Sequence, residues 1–272
     1  MQKINSAFIW MLVIGFISAC SLQSAIPRSP YYPFGKEDLA TIRAIAKAER
    51  IQDSTDLALA WELYKELENS WAPGAPKPSE TTISKLDTLK GRLEGLPKPK
   101  WFEAALNAAG PPGTQMQLPQ KIGDGIFVDQ TDDAGYQNQK ALAVVYMAEH
   151  EIDRPSGANN AGRYLTLLTF KHTWDWEVHA LYARLLSDAG LRGPALHEAV
   201  LGIYLNPDPD GRALDYFAFI CANSKKIQWD GVQMIIKDAV GDRQIAEAAI
   251  ERSKRLFDPR IKATIVPPKI AH

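Results

Sequence analysis

Four residues with the donor chemistry of a metal or proton-transfer site, His172, Glu177, His179 and His197, fall within twenty-six positions of one another. Imidazole nitrogens and a carboxylate suit zinc, which needs its ligands about 2 Å from a single ion. The spacing does not deliver that. On one helix, His172 and His179 would be separated by roughly 10 Å of rise. In an antiparallel pair, His197 lies just past the turn and His179 well before it, so the two sit at different heights. No His-Glu-x-x-His occurs, because Ile152, Asp153 and Arg154 follow His150-Glu151. Glu149, Glu151 and Asp153 have the residue types of a peptidoglycan-cleaving acid pair, yet a charged helix end accounts for them more simply. Asp124, Asp129, Asp132 and Asp133 invite a calcium reading. Counted from Asp129, however, the glycine falls at the seventh place instead of the sixth, and Lys140 stands where the bidentate glutamate belongs. Gly-x-Ser-x-Gly and phosphate-cradling glycine loops are absent from the sequence. The expectation is a protein without metal or cofactor, and not an enzyme.

The histidines sit on the stretch that organises the chain, Trp174 to Pro207. Val178, Leu181, Tyr182, Leu185 and Leu186 recur at three- and four-residue steps, one apolar stripe on a 3.6-residue helix. Leu196, Ala199, Val200, Ile203 and Tyr204 repeat the pattern. Between the stripes, Gly190 supplies a helix stop and Pro194 suits the first turn of the next helix. Pro207 and Pro209 close the unit.

Ala183, Ala195, Gly202 and Pro207 fall at intervals of twelve, seven and five residues. This resembles the small-residue and terminal-proline spacing of a tetratricopeptide repeat, in which small residues let two helices approach closely. His179, Leu186 and Ala199 stand where that family usually has tryptophan, tyrosine and a large aromatic. The resemblance implies a stack of helix pairs with a concave groove, and with it scaffolding or peptide binding.

The start of the chain reads as an address. Lys3 precedes an apolar run over Ala7 to Ile17 that is too short for a comfortable membrane span, the pattern of a signal peptide. Ile17-Ser18-Ala19-Cys20 resembles a bacterial lipobox. The resemblance implies cleavage before Cys20 and acylation of that cysteine, whose acyl chains anchor the protein at roughly 0.8 kcal/mol per buried methylene. Ser21 at the next position implies sorting to the outer membrane, with the body facing the periplasm. Loss of residues 1–19 with Lys3 takes the formal net charge from −1 to about −2, a balance without the basic face that nucleic acid requires. With Cys20 lipidated, Cys221 stands alone and reads as a buried thiol.

The remaining chain divides into a Pro- and Tyr-rich tether (20–35), an N-terminal helical subdomain (36–110), a long irregular loop (111–135), a repeat-bearing helical domain (136–258) and a tail (259–272). Helices are expected over 36–50, 54–71, 79–98, 101–109, 137–152, 161–171, 212–224, 229–240 and 242–257, besides the central pair. A short hairpin is conceivable around Asp124-Gly125. The fold class is all-α: antiparallel helix pairs stacked as a short tetratricopeptide-like solenoid.

Aromatic residues are dense around the repeat. Most belong to a core, but Trp174 and Trp176 are expected in a turn where an exposed pair can anchor a partner, with His179 and Tyr182 beside them on the following helix. The function this predicts is a lipid-anchored adaptor that binds a protein partner of the cell envelope. The alternatives are a peptidoglycan-acting enzyme and a lipoprotein holding a small ligand under the 111–135 loop.

Overall fold

A computed structural model describes residues 39–70, 76–109 and 133–206, together with Tyr216. The lipobox with Cys20, the tether, most of the 111–135 loop, Cys221 and the helices expected beyond Pro207 lie outside the described residues. Among the described residues there are eight helices and no strand: α1 (Leu39–Ala48), α2 (Thr55–Asn69), α3 (Glu80–Glu94), α4 (Lys100–Ala109), α5 (Asp133–Glu151), α6 (Gly157–Lys171), α7 (Trp176–Asp188) and α8 (Arg192–Leu205). The all-α class holds, and neighbouring helices pack as pairs.

Local chemistry explains where the helices begin. Ser54 Oγ accepts the Leu57 N–H at 3.2 Å, and Ser79 Oγ accepts the Thr82 N–H at 3.0 Å, each satisfying a donor that the first helical turn leaves open. Asp175 caps α7 in the same way, its Oδ1 accepting from Glu177 and Val178 at 3.1 and 3.4 Å. Trp176 is therefore the first residue of a helix, and only Trp174 of the aromatic pair stays in the turn. Between α7 and α8 the chain reverses at Gly190, whose φ of 76° lies in the left-handed region that glycine tolerates. Ala183 and Ala195 are fully buried, as small residues between two closely packed helices should be.

The packing centre is not the α7–α8 hairpin but α5. From Tyr136 to Glu149 every residue but the half-buried Asn138 is buried, because α5 is covered by α2, α3, α6 and α7 at once. The sequence pattern begins this helix at Gln137, and α5 starts four residues earlier, at Asp133, within the span read as loop. An acidic residue in the first turn favours that start electrostatically. Also α6 begins earlier than the pattern indicates, at Gly157 instead of Ala161. Two further contacts join helices distant in sequence: α2 lies along α5, and α1 packs on α8, where the Arg43 guanidinium donates to the carbonyls of Ile203 and Tyr204 at the helix end.

Gly157 marks the closest approach of α5 and α6. A Cβ there would lie 2.6 Å from the His150 nitrogen and 2.9 Å from the Glu149 carbonyl carbon, both backbone atoms that cannot swing aside. Gly157→Ala is accordingly expected to cost about 1–3 kcal/mol, read by urea unfolding. A variant as stable as the parent would show that the two helices part at no cost.

Candidate functional site

The predicted aromatic pair lies beside a buried charge cluster that joins α5 to the start of α7. Lys140 of α5 donates to Asp175 Oδ2 at 2.7 Å and to Glu177 Oε2 at 2.6 Å, with 5% of its side chain exposed. Tyr136, one turn earlier on α5, donates its hydroxyl to the same Asp175 oxygen at 2.9 Å. Asp175 thus caps α7 with one oxygen and anchors α7 to α5 with the other. Burial alone would lower the Lys140 pKa, but the two carboxylates outweigh it and hold the ammonium above its ordinary range. Burial would likewise raise Asp175, and Lys140, Tyr136 and His172 bring it below the usual carboxylate value. Asp53 is shifted the other way. Its partial burial, then the nearby Glu177 charge, raise its pKa, and its Oδ1 is enclosed without a hydrogen-bond partner.

Residues 174–177 alternate indole and carboxylate, Trp-Asp-Trp-Glu. The acids turn to Lys140, while both indoles pack against Ala46 of α1 and Leu201 and Leu205 of α8 and remain half-buried. A narrow cleft runs between the end of α1 and this turn, lined by Arg50, Ile51, His172, Trp174 and Trp176 over the Lys140 cluster. Its interior has room for about one water molecule, far less than a small organic ligand needs.

The other two residues expected to meet a partner do not stand at this surface. His179 is 4% exposed, and its ring lies between Glu198 Oε2 (2.6 Å from Nδ1) and the Thr173 carbonyl (3.1 Å from Nε2). Period-3.6 spacing from Trp176 does not reveal this, because the α8 carboxylate that draws the ring inward is nineteen residues away. Tyr182 faces α6, its hydroxyl 2.9 Å from Thr166 Oγ1, and packs against the main core. His179 supports the turn from within the hairpin, whereas the half-buried Tyr182 ties α7 to α6.

Elsewhere, Glu149 and Glu151, two of the three acids considered for catalysis, are held by cations. Glu149 has 1% of its side chain exposed and receives Lys90 and Arg154, each at 3.0 Å. Glu151, fully enclosed, is bonded to Arg184 at 3.3 Å. A general acid needs an open approach to substrate, and neither carboxylate has one. Among the described residues no three His, Cys, Asp or Glu side chains converge as a metal site would require, and no helix is long and apolar enough to cross a membrane.

Sequence reasoning passed over Lys140, Tyr136 and Asp175 as functional candidates. One signal for Asp175 was available: an acidic residue immediately before an apolar-periodic helix is a capping signature. For Lys140 there was none, since a lysine among Gln137, Gln139 and Ala141 reads as solvated surface. Comparison of the chain with protein-family models, with curated proteins and with solved structures gave no match.

Proposed function

We propose that the protein is a lipid-anchored adaptor of the bacterial cell envelope, tethered through Cys20 at the periplasmic side of the outer membrane and non-enzymatic. It binds a protein partner in an assembly of the secretion, pilus or outer-membrane biogenesis kind. In this reading α5–α6 and α7–α8 are two successive units of a short tetratricopeptide-like stack, with α2 to α4 packed on its first unit and α1 on α8. The observation that carries the reading is the Trp174–Trp176 turn. Two half-buried indoles are set on a rigid, ion-paired helix start, the kind of preorganised aromatic anchor that dominates interface energetics. The cleft beside it is too small for an organic ligand, the ligand site expected under the 111–135 loop lies outside the described residues, and the engaged state of Glu149 and Glu151 lends no support to a lytic role.

The lipid concentrates the complex at the membrane, so moderate intrinsic affinity suffices. Replacing both indoles by alanine is expected to weaken capture of the partner at least tenfold in a pull-down of full-length protein from detergent-solubilised envelope, since hot-spot aromatics each contribute about 2 kcal/mol or more. Undiminished recovery of the same complex by W174A/W176A would locate binding elsewhere.

A further inference from the structure

The ring of His179 is caught between two acceptors. Glu198 Oε2 lies 2.6 Å from Nδ1, and the carbonyl oxygen of Thr173 lies 3.1 Å from Nε2. A neutral imidazole carries one N–H, so it can satisfy one of these oxygens only, and the other would meet a lone pair; the imidazolium donates to both. We propose that protonated His179 is a latch that holds the Trp174–Trp176 turn against the α7–α8 hairpin, and that loss of its proton releases the turn. Nothing in this depends on what the turn binds.

The structure gives the latch its direction. The Glu198 contact is short and charge-assisted, so a single remaining proton stays on Nδ1, and the bond given up is the one to Thr173. Thr173 immediately precedes Trp174, and that bond ties the turn to the hairpin interior. The charged and titratable groups that face the ring are Glu198 and His197 from α8, and Asp175 from the turn, itself engaged by Lys140 of α5 and influenced by His172 at the end of α6. Burial would lower the His179 pKa, but Glu198, then the Thr173 carbonyl and Asp175, raise it above the ordinary value. At His197 the packing over the ring, with the charge of His179 added, outweighs Glu198 and depresses the pKa, the opposite direction to His179. A histidine whose folded pKa is raised contributes stability that is complete below its unfolded value of about 6.5 and is lost as pH rises through the folded value. The turn is therefore closed on the acid side and opens as pH rises through the raised His179 pKa.

The test is NMR of the full chain over about pH 5 to 9, the range in which histidines titrate. The His179 ring signals are identified by their loss in H179Q, and the two indole N–H signals by W174F and W176F. Expected are a ring protonated on both nitrogens at about pH 6.5, a midpoint above that value, and indole shifts that follow the same midpoint. In Glu198→Gln the midpoint falls by roughly one pH unit or more, and the indole transition falls with it. A neutral ring at that pH, a midpoint at or below the ordinary value, or indoles that ignore the titration would overturn the proposal. Should Glu198→Gln fail to fold, the protonation state and midpoint of the unaltered chain decide the question alone.

Discussion

Arg184→Met is expected to lower the unfolding free energy by about 3–5 kcal/mol. The side chain has 1% of its surface exposed and binds three carboxylates: Glu68 on α2 (3.1 Å), Glu151 at the end of α5 (3.3 Å) and Asp188 on its own helix (3.0 Å). Tyr64 and Tyr216 both donate to Glu68, at 3.0 and 2.6 Å, so the cluster also collects α2 and Tyr216. Methionine keeps most of the volume, so the loss measures stranded charge and not a cavity. For a chain of this size the melting temperature should fall by roughly 6–20 °C. Glu151 is the most deeply enclosed of the three acids, and adding Glu151→Gln to Arg184→Met should restore part of the loss. A single variant within about 0.5 kcal/mol of the parent would mean that the network contributes specificity alone.

Lys140→Met should cost a similar amount, about 3–5 kcal/mol, by stranding Asp175 and Glu177, whose side chains are 11% and 13% exposed. Its pH dependence sets it apart from a packing defect. In the folded parent Asp175 sits below the ordinary carboxylate value, so its contribution is present above the unfolded value of about 3.9 and is lost as pH falls through the folded one. Without Lys140 the two acids are better tolerated protonated. The penalty should be greatest near neutrality and shrink as pH drops below about 5. Urea titrations of both proteins at several pH values read this directly, and a pH-independent penalty would assign Lys140 a packing role. Because Asp175 also caps α7, exchange of the Glu177 and Val178 amide protons should accelerate in the variant.

The contrast between α7–α8 and α5 shows what was legible in the sequence. The hairpin was readable because its signals are local: Gly190 and Pro194 punctuate it, Ala183 and Ala195 mark the close face, and its apolar residues recur at helical spacing. On α5 the same reasoning misjudges importance, since burial on all sides erases the contrast between faces on which periodicity depends. Gln137, Gln139, Lys140 and Glu149 look like solvent-facing residues and are each buried. Ser54, Asp175 and Lys90, which bond Gln137, Lys140 and Glu149, lie 35 to 83 residues from them, although Arg154 reaches Glu149 from five residues on. Ion pairs over such separations are fixed by tertiary packing and leave no local mark. For the same reason Trp174 and Trp176 are visible in the sequence as an aromatic cluster, whereas the contacts of His179 and Tyr182 depend on α8 and α6. Pairing of α1 with α8 also escapes a linear reading, in which repeats meet only their neighbours.

In the proposed function the partner docks on Trp174 and Trp176. The most direct test is a photo-crosslinking residue placed at position 174 in the full-length protein in its native cells, beside a control at Leu191, which is exposed on the far turn of the same hairpin. One discrete adduct is expected from position 174 and none from 191. No adduct from 174, or the same set of adducts from both positions, would contradict that docking.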